Sequence, residues 1–533
     1  MKKTTLILAI LAALLVFAPV AAQDERAALP WWNDRVFYEL FVRSFYDSDG
    51  DGIGDLQGVI QKLDYLNDGD PATTDDLGVT GLWLMPIMES PSYHGYDVTD
   101  YRTVESDYGT NDDFKQLMTE AHKRGIAVIV DLVVNHTSSE HPWFVASAAQ
   151  DPEYADWYRW DTECPTYRGP WGEQVWIRRG DRCYYAVFWE GMPDLNYANP
   201  AVMTEMSDIA RYWVKDMGAD GFRLDGLKHV VEEGTVQENT ASTRAWAAEF
   251  HNAVLTAAPD SLTVGEVWSS DYLSSQYVPD GADLVFEFDL ATAMLQSAQG
   301  GRSAAIASLQ NRAFGLYPPN QYVAFLTNHD QNRVMSELRS VEKAKVAASL
   351  LLTQPGVPFI YYGEEIGMQG IKPDERIRTP MQWDDSERTA GFSTQRPWEP
   401  LQNDAETVNV VAESADPDSL LSHYRNLIRL RTEHPALTHG DFVPVASASR
   451  EVYAFLRRSE EETVLVVLNL SDEAITDYGL SLEAGLSAGA SVATSSDGTA
   501  VTMPELTADG GFAGYLPLAE LAPYSVIVIP FSA

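Results

Sequence analysis

Positive charge is scarce in this sequence. Its 533 residues include 78 Asp and Glu but only 37 Lys and Arg, which gives a formal net charge of −41 at pH 7. A negative field of this size repels the phosphate backbone of nucleic acids and anionic lipid headgroups. We therefore expect no nucleic-acid partner, and the charge suits a neutral substrate.

Long apolar runs are absent after the first 22 residues. Residues 1–22 combine Lys2 and Lys3, an apolar stretch at 6–17 and the small residues Ala21 and Ala22, which is the pattern of a cleaved secretory signal. The apolar stretch is short for a membrane span, so an uncleaved anchor is the less favoured alternative. We expect a secreted, extracellular or periplasmic monomer with no membrane attachment after cleavage.

Cysteine is also scarce, because Cys164 and Cys183 are the only two. Without a second pair they cannot supply the four ligands of a structural zinc site. In an exported chain, two cysteines this close favour a disulfide, which would contribute roughly 3 kcal/mol by closing a short loop. Two buried free thiols are the alternative.

No Gly-rich phosphate loop follows the first predicted strand, which argues against an open doubly wound sheet. Instead, eight short apolar runs rich in β-branched residues recur along the chain, with helical patterns between most of them. This alternation predicts an α/β fold with a parallel (β/α)8 barrel. The eight predicted strands are residues 36–45, 79–87, 127–135, 221–225, 262–267, 284–288, 322–327 and 357–362.

Residues 136–196 interrupt this alternation after the third strand. The segment is rich in Trp, Tyr and Gly and holds both cysteines. A connection this long is usually a functional insertion or a small subdomain. Its tryptophans are expected to form a core, sugar-binding platforms or both, with the core favoured for each: Trp157, Trp160, Trp171, Trp176 and Trp189.

After residue 440 the pattern changes to short strands separated by Gly, Ser and Asp turns, with candidates at 452–456, 464–468, 491–494 and 526–530. This predicts a C-terminal antiparallel β-sandwich. The predicted organisation is a signal peptide at 1–22, a barrel at 23–135 and 197–440, an inserted subdomain at 136–196 and the sandwich at 441–533.

Acidic residues follow three of the predicted strands. Asp225 ends the fourth, Glu266 ends the fifth, and Asp330 ends the seventh. In such barrels the carboxyl ends of the strands carry the active site. A single Asp after a strand is usually a helix cap, but three acids at matching ends are poorly explained in that way.

Paired carboxylates suit the hydrolysis of glycosidic bonds. In a retaining enzyme one carboxylate is the nucleophile and the other is the acid/base. Arg223 lies two residues before Asp225 on the same strand, so we expect its guanidinium to keep Asp225 ionised. Glu266 needs a raised pKa to donate a proton, and neighbouring carboxylates raise a pKa by charge repulsion.

Six segments in order resemble the α-amylase family of glycoside hydrolases (family 13), across essentially all of the mature chain. They are Gly81–Pro86, Asp131-Leu-Val-Val-Asn-His136, Met192-Pro-Asp-Leu-Asn196, Gly221-Phe-Arg-Leu-Asp-Gly-Leu-Lys-His229, Gly265-Glu-Val-Trp268 and Phe325-Leu-Thr-Asn-His-Asp330. The resemblance implies that Asp225 is the nucleophile, Glu266 the general acid/base and Asp330 the third acid, which grips the sugar hydroxyls.

The same resemblance implies substrate contacts. His136 and His329 would bind the sugar held by Asp330, Arg223 would support the nucleophile, and Tyr96 would be the stacking platform. Tyr96 taken alone could be an ordinary loop aromatic. Lys228 and His229 resemble the pair that α-amylases place toward the leaving-group sugars. Asp97 and Arg378 resemble the pair that closes the site beyond the terminal glucose in exo-acting relatives.

The segment from Asp47 to Asp55 alternates acidic oxygens as calcium loops do, and similar loops occur in α-glucosidase relatives. It departs from an EF-hand, because Gly58 stands where the last carboxylate would be. We expect Ca²⁺ here, with a Gly/Asp surface turn as the alternative. The expected ligands are Asp47, Asp49, Asp51, Asp55 and the carbonyl of Ile53.

The resemblance also implies a second Ca²⁺ between the barrel and the inserted subdomain. Asn135, Asp194 and the carbonyl of His229 match ligand positions of that site in α-amylases, and one more ligand is expected from the insertion. α-Glucosidase relatives often lack this ion.

The subfamily signals conflict. Lys228 and His229 favour an endo-acting α-amylase, whereas the 47–55 loop and Arg378-Thr-Pro-Met-Gln-Trp383 resemble oligo-1,6-glucosidases and α-glucosidases. The 192–196 segment resembles a group intermediate between oligo-1,6-glucosidases and neopullulanases. We expect a secreted bacterial-type α-amylase that cleaves internal α-1,4 bonds of starch. The alternatives are an exo-acting α-glucosidase or oligo-1,6-glucosidase, a neopullulanase-like enzyme, an α-glucan transglycosylase, and a non-catalytic relative, which would tend to lose the carboxylates retained here.

Overall fold

The fold was determined as a computed structural model that describes residues 29–402, 404–487, 491, 492 and 494–531. The predicted signal peptide, residues 1–22, lies outside the described residues. Residues from Trp31 onward form one unit, to which the description below applies. In the described part of the chain, no helix is both long and apolar enough to cross a lipid bilayer.

Eight parallel strands form the predicted barrel, and the fold class is confirmed. Each strand pairs with its neighbours in sequence, and β8 pairs with β1. A parallel bridge between Phe286 and Val323 closes the ring between β6 and β7. The strands are β1 (Phe37–Leu40), β2 (Gly81–Leu84), β3 (Ala127–Val133), β4 (Gly221–Asp225), β5 (Leu262–Gly265), β6 (Leu284–Val285), β7 (Val323–Ala324) and β8 (Val357–Tyr361).

Alternate residues of the strands point to opposite sides of the barrel wall. Phe37 and Phe359 belong to the cluster that fills the barrel, where their rings stack with centroids 4.5 Å apart. Tyr38 and Ile360, one position further on, belong to the larger cluster that includes the surrounding helices. Every residue of these strands is buried, which explains why the strands read as continuous apolar runs.

Helices follow most of the strands and cover the barrel. Asn111–Lys123 begins with a capping box in which Thr110 and Asp113 satisfy each other's backbone N–H groups. The helix Pro200–Arg211 continues into a π-helical turn, Tyr212–Met217. The other α-helices are Val42–Phe45, Leu56–Gln61, Leu63–Leu66, Pro142–Ala148, Ala241–Ala257, Asp271–Ser274, Phe288–Gly300, Ala304–Leu316, Val334–Leu338, Val341–Thr353, Asp374–Ile377, Val410–Ala415, Leu420–Glu433 and Pro435–His439. Leu227–His229 and Ser275–Tyr277 are 3-10 turns.

The segment after β3 holds a three-stranded antiparallel sheet of Trp160–Asp161, Trp176–Arg179 and Arg182–Tyr185. Cys164 and Cys183 form the predicted disulfide, which ties the loop after the first of these strands to the third. Trp157 and Trp176 are buried, as expected of core residues, whereas Trp171 and Trp189 are exposed. A second small sheet pairs Met88–Glu89 with Asp100–Val104.

Six antiparallel strands form the C-terminal sheet. Its apolar side chains on one face form a cluster of their own, and β9 pairs with β10 on one side and with β12 on the other. The strands are β9 (Asp441–Ser447), β10 (Val452–Arg458), β11 (Thr463–Asn469), β12 (Leu480–Leu482), β13 (Phe512–Tyr515) and β14 (Val526–Phe531).

Two expected strands differ from the structure. The first was expected to reach residue 45, but β1 ends at Leu40 and Val42–Phe45 is a helical turn. A strand was expected at 491–494, whereas the described part of that segment has only isolated bridges, one of them between Thr494 and Ala500. Phe41, Val42 and Phe45 are buried, so the apolar character of the first segment reflects burial rather than strand pairing, whereas the described residues of 491–494 are exposed or half-buried.

Candidate active site

The three predicted acids lie at the carboxyl ends of barrel strands. Asp225 is the last residue of β4, and Glu266 directly follows β5. Asp330 lies six positions beyond the end of β7, because that strand ends at Ala324 and the chain continues irregularly to the barrel mouth. Glu266 and Asp330 line the same cavity, so the structure brings acids from separate strands together.

One guanidinium joins three carboxylates at the centre of the site. Arg223, buried to 1% exposure, places Nη1 2.8 Å from both Asp131 Oδ1 and Asp225 Oδ1, and Nη2 2.9 Å from Glu266 Oε2. Its guanidinium carbon lies 5.2 Å from the centre of the Trp83 ring. A planar guanidinium can make all these bonds at once, whereas a lysine ammonium could not span them.

Burial dominates the electrostatics of Asp225 and Glu266. It raises the pKa of Asp225, and Arg223 opposes that shift without reversing it. The ion pair with Arg223 that the sequence predicted is present, but the net change in the pKa of Asp225 is upward. Burial also raises the pKa of Glu266, and the charges of Asp225 and Asp330 add to the shift. A carboxyl with a raised pKa can hold the proton that a general acid donates.

Asp330 has the opposite environment. Burial works against its ionisation, but His329 and Arg378 outweigh burial and lower the pKa of Asp330 to about 2. Arg378 Nη2 lies 2.9 Å from Asp330 Oδ1, and His329 Nε2 lies 3.4 Å from Asp330 Oδ2. Asp330 is therefore a fixed negative charge, which suits an acceptor of hydrogen bonds from sugar hydroxyls.

Tyr96 and His136 border the acids. The Tyr96 ring stacks on the His329 ring with centroids 5.6 Å apart, and the Tyr96 hydroxyl lies 2.7 Å from His329 Nε2. His136 Nε2 lies 3.2 Å from the carbonyl oxygen of Tyr96. Burial lowers the pKa of His136 to about 4, so this ring is neutral and donates from Nε2.

Gly226 supports Glu266 in a way that the sequence did not suggest. Its backbone N–H donates to Glu266 Oε2 over 2.9 Å, and its φ of +54° lies in the left-handed region that favours glycine. A Cβ at this position would lie 3.0 Å from Phe188 Cζ. Both the backbone conformation and the close packing therefore favour glycine at the position after Asp225.

An open cavity of about 700 Å³ extends from Glu266 and Asp330. Trp171 of the insertion is 60% exposed and Trp268, after β5, is 44% exposed, with one face of the Trp268 ring stacked on Phe288. Burial lowers the pKa of His229 to about 4. The cavity is lined by Trp171, Phe188, Gly226, Lys228, His229, Glu266, Trp268, Asp330 and Lys372.

Lys228 is held at the edge of this cavity. Its Nζ donates to the carbonyl oxygen of Trp268 over 2.9 Å and pairs with Glu238 at 2.7 Å. His229 donates from Nδ1 to the carbonyl oxygen of Gln237 over 2.9 Å, and its Nε2 is buried without a hydrogen-bond partner among the described residues.

The structure does not pair Asp97 with Arg378. In the described part of the chain no ion pair joins them, and Asp97 accepts hydrogen bonds from Ser90, at 2.9 Å, and from Ser92. Arg378 binds Asp330 and the carbonyl oxygen of His329 instead. The role of Asp97 and Arg378 beyond the terminal glucose therefore stays a prediction.

The predicted calcium loop brings carboxylates together. Oxygens of Asp47, Asp49 and Asp55 lie within 4.8 Å of one another, whereas Asp51 is outside that group and accepts from the N–H of Ile53 over 2.8 Å. Asp55 also caps the helix Leu56–Gln61. Hard oxygen donors of this kind are those that Ca²⁺ prefers, so the loop fits the ion.

The second predicted cation site also has suitable oxygens. Asn135 Oδ1 and Asp194 Oδ2 are buried without a hydrogen-bond partner among the described residues. Burial raises the pKa of Asp194, and the neighbouring charge of Glu232 adds to that shift. The insertion contributes Arg159, whose guanidinium pairs with Glu232. Unpartnered buried oxygens fit a hard cation, and the sequence did not predict the acid at Glu232.

Sequence reasoning assigned no role to two buried acids of the barrel. Asp131 binds Arg223, and burial raises the pKa of Asp131 to about 7. Glu39 Oε1 lies 2.5 Å from His329 Nδ1. Each is a single charged residue inside an apolar strand, and that contrast is the signal that could have identified them.

Comparisons with known proteins agree with this geometry. The chain matches the family described as alpha amylase, catalytic domain, over residues 39–440. It is 41% identical to "Alpha-amylase 3" of Dictyoglomus thermophilum over 83% of this chain and 86% of that protein. It is 32% identical to an oligo-1,6-glucosidase of Parageobacillus thermoglucosidasius over 83% and 91%.

The crystal structure of an alpha-amylase from H. orenii superposes with a TM-score of 0.81 at 40% identity, covering 93% of this chain and 99% of that one. The family match spans the barrel strands and the three acids. The chain therefore belongs to the α-amylase family of glycoside hydrolases, as an enzyme acting on α-glucans.

Proposed function

We propose that this protein is a secreted, retaining α-amylase that cleaves internal α-1,4 bonds of starch. The observation that carries the proposal is the open cavity beyond Glu266, with the exposed rings of Trp171 and Trp268 at its wall. Flat rings stack on the apolar faces of glucose units. A cavity of this kind on the leaving-group side accepts a chain that continues past the cleaved bond.

The opposite side of the site supports the same reading. An exo-acting enzyme closes its site beyond the terminal glucose, and the pair Asp97 and Arg378 is not formed in the described structure. The relative named alpha-amylase is also more similar to this chain than the relative named oligo-1,6-glucosidase, at 41% against 32% identity. That second relative keeps oligo-1,6-glucosidase activity as the alternative function, and transglycosylation shares the same three acids.

The mechanism follows from the environments of the acids. Glu266, with its raised pKa, donates a proton to the glycosidic oxygen while the Asp225 carboxylate attacks the anomeric carbon. The C–O bond to the leaving chain breaks, and a glycosyl ester forms on Asp225. Glu266, now ionised, removes a proton from water, which attacks the same carbon and releases Asp225. The α configuration is retained.

Groups around the acids hold the reacting sugar. Asp330 is ionised and accepts bonds from its hydroxyls, His329 and His136 add polar contacts, and Tyr96 stacks on its face. Arg223 binds the oxygens of both reacting carboxylates, so it holds their mutual position through both steps.

We further propose a structural Ca²⁺ held by Asp47, Asp49, Asp55 and their loop, and a second between Asn135, Asp194 and the carbonyl of His229. Bound ions of this kind supply stability and hold the insertion on the barrel; the chemistry above uses the chain's own residues. We also propose that the enzyme is exported, because residues 1–22 have the pattern of a secretory signal. The exported enzyme is proposed to be a monomer.

A product time course on soluble starch, maltotriose, isomaltose and sucrose tests the function. We expect mixed oligosaccharides early from starch, with the α anomer formed first, and little cleavage of isomaltose or sucrose. Glucose released alone from chain ends, or the β anomer formed first, would contradict the proposal. Rapid cleavage of isomaltose would instead support the oligo-1,6-glucosidase alternative.

A matched pair of variants tests the cavity itself. Trp171→Ala removes one aromatic platform and should lower kcat/KM on starch about fivefold, since a stacked ring contributes about 1 kcal/mol. Trp189 lies in the same insertion and is 49% exposed, but it does not line the cavity. Trp189→Ala should therefore leave kcat/KM close to the wild-type value.

A further inference from the structure

Glu39 is a buried acid in an otherwise apolar strand. It lies in β1, is 2% exposed, and places Oε1 2.5 Å from Nδ1 of His329, which comes from the chain after β7. The two residues are 290 positions apart in sequence. A carboxylate can only accept hydrogen bonds, so the Nδ1 atom of His329 carries a hydrogen and donates it to Glu39.

The other ring nitrogen faces the hydroxyl of Tyr96. His329 Nε2 lies 2.7 Å from the Tyr96 oxygen, which also lies 3.2 Å from Asp131 Oδ2 and 3.4 Å from Arg223 Nη1. A guanidinium only donates and a carboxylate only accepts. When the single Tyr96 hydrogen goes to an ionised Asp131, the Tyr96 oxygen is left to accept from Arg223 and from His329.

That assignment requires Asp131 to be a carboxylate. Its remaining partners are both donors: Arg223 Nη1 lies 2.8 and 2.9 Å from its two oxygens, and Trp83 Nε1 lies 3.3 Å from Oδ2. Arg223 therefore favours the carboxylate, against the burial that raises the pKa of Asp131 to about 7. Independently of Asp131, Asp330 Oδ2 lies 3.4 Å from Nε2 and Glu39 Oε1 lies 2.5 Å from Nδ1, so a carboxylate faces each nitrogen of His329. A histidine with both ring nitrogens donating is an imidazolium cation.

The other charged groups around the ring act in opposite directions, and the attractive ones prevail. Asp330 Oδ2 lies 3.4 Å from Nε2 and attracts the cation, whereas Arg378 repels it and donates through Nε to the carbonyl oxygen of His329 over 3.0 Å. The Trp83 ring packs edge-on at 5.5 Å and carries no charge. Burial disfavours the cation, yet Asp330 and Glu39 outweigh burial and raise the pKa of His329.

We infer that Glu39 is a positioning residue that holds His329 as a permanent imidazolium beside Asp330, with its Nε2–H turned toward the sugar side of the site. The cation then keeps Asp330 ionised next to Asp225 and gives the reacting sugar a charged hydrogen-bond donor. The kinetic consequence rests on the proposed function, whereas the charge state of His329 does not.

NMR of protein labelled with ¹⁵N-histidine tests the charge state directly, with His329→Gln used to assign the signals. In the wild type we expect two ring N–H signals for His329 and no titration between about pH 5 and about pH 9. In Glu39→Gln the ring should titrate near or below the ordinary histidine pKa of about 6.5. A wild-type His329 that titrates in this range would overturn the inference, whether or not the variant folds.

The pH profile of kcat/KM on starch tests the kinetic consequence. Without Glu39 the imidazolium loses its proton at lower pH, so the alkaline limb of Glu39→Gln should move to lower pH, with activity falling about tenfold per pH unit beyond it. Unchanged profiles for Glu39→Gln and the wild type would overturn the inference.

Glu364→Gln is the matched control, because it removes another buried barrel carboxyl, hydrogen-bonded to Tyr424 rather than to a residue of the site. Its alkaline limb should stay in place, and a shift equal to that of Glu39→Gln would overturn the inference. If the wild type fails to cleave starch, the proposed function fails while the NMR result still decides the charge of His329.

Discussion

At the residue scale, the site depends on how one arginine shares its charge. Arg223 binds Asp131, Asp225 and Glu266, so three buried carboxylates are opposed by a single guanidinium. Burial and mutual repulsion exceed that one positive charge, which is why the pKa values of Asp225 and Glu266 rise. The same arrangement that holds the nucleophile in place therefore also keeps a proton on the general acid.

Glu364, a buried acid behind β8, gives a prediction about stability and pH. Burial raises its pKa from the ordinary 4.5 to about 8. The folded state therefore holds this proton more tightly than the unfolded state does, and stability is lost as the pH rises from about 4.5 to about 8, at up to about 1.4 kcal/mol per pH unit. Glu364→Gln removes this ionisation and should be more stable than the wild type at pH 8, with no advantage at pH 4.

Urea unfolding at several pH values measures the effect. Glu153→Gln, at an exposed position, is the control and should follow the wild type within about 0.5 kcal/mol. A Glu364→Gln curve parallel to that of the wild type at every pH would show that Glu364 is ionised in the folded protein.

The acids of the site could be predicted because their positions follow from strand ends. Asp225 and Glu266 end or follow consecutive parallel strands, and the barrel geometry brings such residues to one mouth. Their supporting contacts could not be predicted, because they join segments far apart in the chain. Glu39 and His329 are the clearest example, since no local pattern reports a partner 290 positions away.

At the element scale, the positions of all eight barrel strands agree with the sequence, whereas several ends do not. The expected seventh strand covered residues 322–327, but β7 is only Val323–Ala324. The residues after it are still buried, because they line the barrel interior and the mouth. An apolar pattern indicates which residues are buried, and here the buried residues continue beyond the last residue that pairs with a neighbouring strand.

The C-terminal sheet shows the reverse problem. No strand was expected at β9, β12 or β13. β9 contains Pro444 and has a mixed pattern of buried and exposed residues, and β12 is only three residues long. Strands with glycine, serine and proline carry little β signal of their own, even where they lie inside the sheet as β9 and β12 do, and they form only when the neighbouring strands offer partners.

The 47–55 loop gives a prediction about metal removal. At a Ca²⁺ concentration about 100 times its Kd, binding would stabilise the fold by about 2.7 kcal/mol, so EDTA should lower the melting temperature of the wild type. Asp49→Asn removes one charge of the carboxylate group, so it should lower the melting temperature and make the EDTA effect smaller than in the wild type, with the remaining effect due to the second proposed site.

Asp70→Asn is the matched control. Asp49 and Asp70 each accept a backbone N–H two residues ahead, at 3.1 and 2.9 Å, but Asp70 belongs to no carboxylate group of this kind in the described structure. Asp70→Asn should keep the EDTA effect. A wild-type melting temperature that EDTA leaves unchanged would count against a structural Ca²⁺ in either predicted site.

At the scale of the whole molecule, the C-terminal sheet is continuous with the barrel core. Tyr453 and Phe455 of β10 pack in the cluster of the barrel and its helices, whereas Val452, Ala454 and Leu456 pack in the cluster of the sheet. The strand therefore buries both faces, and separating the sheet from the barrel would expose an aromatic surface.

Two buried arginines add polar contacts to this junction. Arg457 of β10 donates to the carbonyl oxygens of Thr353 and Gly440, and Arg431 donates to those of Leu352 and Gly356. The carbonyls of Leu352 and Thr353 lie at the end of the helix Val341–Thr353, where backbone oxygens have no helical partner. The cations therefore satisfy, and are attracted by, a buried helix C-terminus.

Arg457→Met should lower the free energy of unfolding by about 3–5 kcal/mol, because it leaves these buried carbonyls unpaired. Arg458→Met is the control at the next position of the same strand, where the side chain is partly exposed and pairs with Asp441. That change should cost less than about 1 kcal/mol. Equal losses in the two variants, measured by urea unfolding, would mean that the junction contacts do not stabilise the fold as described.

The central claim is that Asp225 becomes glycosylated during turnover. Glu266→Gln, mixed with maltosyl fluoride and quenched, tests it: fluoride needs little protonation to leave, while the missing base slows the release of the sugar. Peptide mapping by mass spectrometry should find one maltosyl unit on the peptide that carries Asp225, and none in Asp225→Asn combined with Glu266→Gln. A sugar attached to a different residue, or no adduct together with β-configured product, would contradict the account.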